Sequence, residues 1–162
     1  MTNSNDDSTA LGLRWRWTPF AGLTPAEVYE LLRLRQDVFI LEQRCFYRDA
    51  DDLDLEAWHG LGTAPSGDLA AYARILPPTP TRGEPSIGRV LVAAPWRAQG
   101  VGRALMQSAL EVARAQFPHR AVRVSAQAHL ERFYASLGFV RVSAIYDDAG
   151  IPHCDMRREP EP

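Results

Sequence analysis

The residues in this chain most capable of binding chemistry are Arg97-Ala98-Gln99-Gly100-Val101-Gly102. They follow an apolar run, Ile87-Gly88-Arg89-Val90-Leu91-Val92-Ala93, that is broken by Pro95. They open a helical pattern of Leu105, Met106, Ala109, Leu110, Val112, Ala113 and Phe117. A basic, glycine-punctuated turn therefore sits between a strand and a helix N-terminus. Glycines there let the backbone approach a ligand closely. The unpaired N–H groups of the first helical turn, with the helix dipole behind them, favour an anion, and a phosphate or pyrophosphate suits best.

Two familiar phosphate loops do not fit. A Walker A loop needs Gly-Lys-Ser/Thr, and the chain has no lysine; all 18 basic residues are arginine. A dinucleotide fingerprint needs a third glycine near Met106 and an acidic residue closing the next strand, which here ends in Gln127. A second segment, Gln127 to Phe139, carries Tyr134 four residues before Gly138-Phe139, with Gly138 placed as a left-handed helix C-cap.

The turn and this second segment together resemble the GNAT N-acetyltransferase superfamily, whose Arg-x-x-Gly-x-Gly turn holds the pyrophosphate of acetyl-CoA and whose last helix ends in Tyr-x-x-x-Gly-Phe. Gln127 stands where that family usually has asparagine. Leu34 to Gln43, Cys45 and Tyr47, Ala71 to Ile75, Ile87 to Val90, Ser125 to Leu130 and Ile151 to His153 are similar to the ElaA-like branch, over roughly residues 13 to 158. Asp52 departs from it, standing where glycine is usual. Arg35 and Phe39, with Asp49 and Asp51 beyond, also resemble acyl-homoserine lactone synthases, a distant branch of the same fold. Chain length and the complete turn favour the acetyltransferase.

The resemblance implies a mixed α/β sheet, splayed at the cofactor and flanked by helices. It implies an acetyl-CoA cosubstrate held by Arg97, Ala98, Gln99, Gly100, Val101, Gly102 and Arg103, with Gln127 and Tyr134 alongside. Backbone groups of Val90, Leu91 and Val92 would meet the pantetheine arm and the thioester carbonyl. Tyr134 would protonate the departing thiolate, since a phenol of pKa ~10 is protonated at neutral pH; the alternative is that it only packs and binds the sulfur.

The base is open among Glu42, His59, His129 and His153. Glu42 ends a long apolar helix face, where apolar neighbours would raise its pKa as a base requires; alternatively it pairs with Arg44 or Arg48. His59 sits in a strand pattern, where a satisfied structural histidine is the favoured reading over a base. His129 caps the last helix or touches cofactor. Arg35, Glu42, His59 and His153 are the candidates to line the acceptor pocket. The acidic loop Asp49, Asp51, Asp52, Asp54 lacks the glycine and distal glutamate of a calcium loop. A rim attracting a cationic amine and a plain solvated loop remain as its readings.

The secondary structure around these groups is legible in outline. Leu13, Trp15 and Trp17 alternate with arginines as in a strand. Thr24-Pro25-Ala26-Glu27 is a capping box opening a helix to about Gln43. Strands are expected over 55–61, 69–76, 87–94, 121–126, 139–146 and 153–157, with helices over 98–117 and 128–137. Residues 1–12 read as a disordered lead, 13–158 as one domain and 159–162 as a loose tail. The chain has 162 residues, 46% of them hydrophobic, enough for a proper core. With a net charge of −2 and no dominant arginine cluster, nothing motivates a nucleic-acid partner. No apolar run reaches the ~18–20 residues of a membrane span, and Met1 to Thr9 lacks the features of a signal peptide, so a cytoplasmic protein is expected. Cys45 and Cys154 form neither a disulfide framework nor a metal-ligand spacing, and no metal is expected. The expected partner is a small-molecule or peptide amine, with no membrane contact. The chain would be a monomer, or a homodimer with Trp15 and Trp17 at its edge. The leading function is acetyl-CoA-dependent N-acetylation; the runner-up is a non-catalytic acyl-CoA sensor or interaction module of the same fold.

Overall fold

A computed structural model describes residues 12–161. The expected disordered lead lies almost wholly outside them. Eight strands form one mixed sheet in the order β1-β2-β3-β4-β5-β8-β6, with β7 also paired to β8. They are β1 (Arg14–Pro19), β2 (Trp58–Thr63), β3 (Leu69–Leu76), β4 (Ser86–Val92), β5 (Val122–Gln127), β6 (Val140–Arg141), β7 (Tyr146–Asp148) and β8 (Ile151–Arg158). β1 to β4 run as an antiparallel meander, β4 and β5 are parallel, and β5 and β8 are antiparallel. The parallel step needs a crossover, and α2 (Val101–Gln116) supplies it.

Helices cover both faces. On one, Leu105, Met106, Ala109 and Ala113 of α2 pack with Val122, Val124, Ala126, Cys154 and Met156, joined by Tyr134 of α3 (Glu131–Ala135) and by Leu137 and Phe139. On the other, Leu31, Val38 and Phe39 pack on Leu61, Tyr72 and Leu91. Leu31 belongs to α1 (Pro25–Arg35), which starts at the expected capping box: Thr24 Oγ1 accepts from Glu27 N–H, and Glu27 Oε2 accepts from Thr24 N–H.

The long first helix is not uniform. After Arg35 it widens to a π-helix over Gln36–Glu42, where Gln43 N–H reaches back five residues to the Val38 carbonyl at 3.0 Å. Such a segment inserts extra backbone per turn and often marks a functional site; here it carries the chain into the loop over the sheet. The expected strand over 139–146 divides into β6 and β7, and the helix expected over 128–137 shortens to a 3₁₀ turn (Ala128–Leu130) and α3. Gly138 has φ +87° and ends that helix.

Trp15 and Trp17 stand on β1, the edge strand of the sheet, and are partly buried against its core. Their indoles lie over Gly62 and Gly60, where an added Cβ would come within 2.5 and 2.4 Å of the rings, and Trp17 Nε1 donates to Ser108 Oγ on α2 at 2.8 Å. At the other end of the chain, Glu159 and Glu161 pair with Arg157, Arg158 and Arg114. No helix among the described residues is long and apolar enough to cross a membrane.

Candidate active site

The sheet opens where β4 and β5 part. Only Ser86↔Arg123 and Ile87↔Val124 are in register between them. Beyond Ile87, β4 keeps its pairing to β3 but has no ladder to β5. On the β3 side the register shifts between Tyr72↔Leu91 and Arg74↔Gly88, so β4 bulges at Arg89 and Val90, with Arg89 at φ +51°. A bulge kinks its strand and stops pairing, and this one steers Val90, Leu91 and Val92 away from β5. Backbone groups there are free to pair with an extended ligand.

The split strand leads into the turn before α2. Gly100 is the N-cap at φ +80°, with open space around the position of a Cβ, and Ala98 is also left-handed at φ +59°. No side chain caps α2, so its first N–H groups face outward with the dipole behind them, as an anion requires. The Arg97 guanidinium is held by protein groups. Its Nε donates to the Val92 carbonyl at 3.0 Å, and its other two nitrogens donate to Glu42 at 2.7 and 3.1 Å. It ties the end of β4 to the end of the first helix. Arg103 donates to Ser136 Oγ at 2.6 Å and braces α2 against the chain after α3. Gln99 turns back to the Pro95 carbonyl.

A cleft of about 410 Å³ occupies the split. Tyr134 lines it from the α2 face, and Phe39, Gln43, Cys45 and Tyr47 from the α1 face. The cleft is thus lined from both sides of the sheet. Tyr134 is only 5% exposed, and its hydroxyl has no hydrogen-bond partner among the described residues. Burial pushes its pKa up to about 12. Phe133 and Phe139 contact its ring edge-on. Gln127 lines the cleft and donates to Gln43 Oε1 at 3.0 Å, bridging β5 to the end of the π-helix. His153 lines it too, with Nδ1 2.7 Å from the Ile151 carbonyl. That contact requires Nδ1–H, which leaves Nε2 of the neutral ring as an acceptor. A larger cavity of about 720 Å³ lies along α2 near Arg114, Phe117 and Glu161; it does not reach the split.

Three expectations about the acceptor pocket are corrected. Arg35 lines no pocket: it is fully buried, donating to Asp49 Oδ2 at 2.7 Å, to Asp54 Oδ1 at 2.7 Å and to the Asp49 carbonyl at 2.6 Å. His59 is fully buried as well, its nitrogens 2.7 Å from Tyr72 Oη and 2.8 Å from the Asp54 carbonyl. Burial holds its pKa below the usual histidine range, the nearby Asp54 notwithstanding. Glu42 has no apolar enclosure; it is exposed, spent on Arg97 rather than on Arg44 or Arg48, and outside the cleft. His129 is exposed on the turn before α3, also outside the cleft lining.

The acidic loop is not a solvated rim. Asp49 and Asp54 are buried, and with Asp51 they meet Arg35, Arg74 and Arg89, three aspartates against three arginines. Asp52 opens a 3₁₀ turn without a left-handed backbone, so this turn needs no glycine. The network anchors the bulge, because Arg89 itself reaches Asp49 and Asp51 from the left-handed position. Sequence reasoning missed Arg74 and Arg89, and also a hydroxyl array on the far wall in which Tyr146 Oη lies 2.5 Å from Ser125 Oγ and donates to Asp155 Oδ1 at 2.7 Å. The alternation of Ser125 with Val124 and Ala126 was the available signal for the array; the partner strands were not.

Residues 53–160 match the acetyltransferase (GNAT) domain family. The chain belongs to the GNAT family. Protein ElaA of Escherichia coli is 40% identical over 149 residues, covering 91% of this chain and 97% of that protein. A UPF0039 protein of Synechocystis is 41% identical over 144 residues, 89% of this chain and 94% of its own length. The crystal structure of an acyl-CoA N-acyltransferase from Pseudomonas aeruginosa superposes with a TM-score of 0.86 at 42% identity, covering 90% of this chain and 99% of that one. Escherichia coli ElaA superposes with a TM-score of 0.85, covering 91% and 99%. The mixed sheet with flanking helices is thus the GNAT acyl-CoA N-acyltransferase fold. An acyl-homoserine lactone synthase, BjaI, shares the fold at 15% identity and a TM-score of 0.74.

Proposed function

We propose that this GNAT protein transfers an acetyl group from acetyl-CoA to a primary amine of a small molecule or peptide, by direct attack with both substrates bound. The observation that carries this reading is the partnerless hydroxyl of the buried Tyr134 beside a cleft lined from both faces of the split sheet. The turn at Ala98 to Gly102 fits a pyrophosphate, since its backbone is left-handed at Ala98 and Gly100 and its helix end carries no side-chain cap. The β4 edge at Val90 to Val92 fits an extended amide-bearing arm. Each substrate thus has its own approach to Tyr134.

Acetyl transfer forms an N–C bond and breaks a C–S bond. His153 Nε2 takes one proton from the ammonium, directly or through water, and the neutral amine then attacks the thioester carbonyl. As the C–S bond breaks, Tyr134 gives its proton to the departing sulfur, and the second proton lost by nitrogen restores the Tyr134 phenol through water. Holding both partners in line removes much of the entropic barrier.

Thiol release from acetyl-CoA over a panel of polyamines, amino acids, aminoglycosides and lysine peptides tests the proposal. The expected result is turnover with one acceptor class, together with a rise in melting temperature on adding acetyl-CoA. A thermal shift without turnover on any amine overturns catalysis and leaves an acyl-CoA-binding module. No thermal shift at all overturns the cofactor assignment too.

A further inference from the structure

The free edge of β4 is tied at both ends to one segment of the opposite wall. At its far end Arg97 joins the Val92 carbonyl to Glu42. At its near end Arg89 joins the bulge to the loop that follows. Its Nε lies 2.8 Å from Asp49 Oδ1, and its Nη2 donates to the Asp49 carbonyl at 3.1 Å and to Asp51 Oδ2 at 3.4 Å. Between Glu42 and Asp49 the chain carries Gln43, Cys45 and Tyr47, all lining the cleft. That stretch contains no helix. It meets the sheet through the Gln43 amide, 3.0 Å from Gln127, and through the Tyr47 ring, whose centroid is 5.2 Å from Arg89 Cζ.

The three arginines of the acidic network are not equivalent. Arg35 and Arg74 are buried, and together they give every aspartate a cation: Arg35 pairs with Asp49 and Asp54, Arg74 with Asp51 and Asp54. Arg89 reaches in from the cleft wall and is partly exposed, and its removal leaves none of the three aspartates unpaired. It also sits in a left-handed backbone at φ +51°, a conformation that strains a residue with a Cβ and suits glycine. Neither feature stabilises the fold in its own right. What the side chain adds is a fixed spacing between the β4 edge and the wall opposite.

We propose that Arg89 is a positioning residue, which sets the width of the split by fastening the β4 bulge to the Asp49–Asp51 loop and so holds the Gln43–Tyr47 wall where it grips an acyl-CoA arm lying on the β4 edge. The inference takes its ligand from the acetyl-transfer reading and the placement of the wall from the geometry alone. A wall already in place spares the ligand the cost of ordering it.

Arg89→Gly tests this, because glycine removes the tie and suits the backbone. N-ethylmaleimide labelling of the free protein, mapped by mass spectrometry, reads the wall with no cofactor present. Cys45 stands on the wall and is buried; Cys154, buried in the core under α2, reports global unfolding. Arg89→Gly is expected to speed labelling of Cys45 by about tenfold or more while Cys154 stays protected. Calorimetric titration with acetyl-CoA reads the consequence. Kd is expected to rise by about tenfold or more in Arg89→Gly and Arg89→Ala alike, although the glycine variant melts at the higher temperature. Arg89→Lys keeps a cationic donor without the fork and should fall between Arg89→Ala and wild type. Faster Cys45 labelling in Arg89→Gly, with no acetyl-CoA binding even by wild type, supports the tie while the cofactor reading fails. Unchanged Cys45 labelling, or an acetyl-CoA Kd in Arg89→Gly within about threefold of wild type, overturns the inference. So does a loss of affinity that follows melting temperature across the variants.

Discussion

Replacing Arg35 with methionine lowers the stability of the fold by about 3–5 kcal/mol, the cost of breaking a buried ion pair by removing one partner. Arg35 supplies hydrogen bonds to two buried carboxylates and one carbonyl from a fully buried position. Methionine fills much of the volume but leaves Asp49 and Asp54 charged, desolvated and short of donors. The loss should exceed that of any exposed arginine, such as Arg114, whose pair with Glu161 is solvent-screened. Urea unfolding of the two variants checks the contrast.

The same network gives stability an acid limb with a definite sign. Burial works against the charge of Asp54 and Asp51, but the hydrogen bonds and positive charges of Arg35, Arg74 and Arg89 win and hold both carboxyls below the usual range. A depressed carboxyl stabilises the fold above its unfolded pKa of ~3.9, and that contribution is lost as pH falls through the folded value. His59 acts earlier: burial depresses its pKa, so its contribution is complete above ~6.5 and declines below. Midpoints measured from pH 8 to pH 3 should fall in two stages, the first starting near ~6.5 and the second below ~4. Arg35→Met should flatten the second stage. A single stage, or an unchanged acid limb in the variant, would contradict the assignment.

Tyr134→Phe should lower kcat by about 10²-fold, within the range of lost general-acid catalysis. The hydroxyl has no partner to lose among the described residues, and the ring keeps its edge contacts with Phe133 and Phe139. Stability should therefore change little, and the thermal shift given by acetyl-CoA should persist. An equal fall in kcat and kcat/KM would mark an interaction made only in the transition state. With its pKa pushed to about 12 by burial, Tyr134 is protonated throughout the ordinary assay range. An alkaline limb below pH 10 must then come from another group. A variant that weakens acetyl-CoA binding but keeps kcat would reduce Tyr134 to a packing and sulfur-binding role.

Features that depend on neighbours along the chain are legible in residue order. The left-handed Gly100 and Gly138, the capping box at Thr24, the amphipathic α2 and the apolar β3 are set by period, sterics and local hydrogen bonds, and these can be read from residue order. The family followed from two such local segments and their spacing. Which charges are free depends instead on long-range packing. Arg35 and Glu42 look alike on paper as polar residues of one helix, yet the widened turn after Arg35 leaves one buried among aspartates and the other paired to Arg97. The aspartates of the 49–54 loop read as solvated because their arginine partners lie up to 40 residues away in β4. The split itself is a missing ladder, and no residue encodes an absent hydrogen bond. Ser125, Tyr146 and Asp155 come from three strands and become one array only through the register of β5 and β7 on β8. Burial and long-range pairing, which set a charge's free energy, are properties of the assembled sheet.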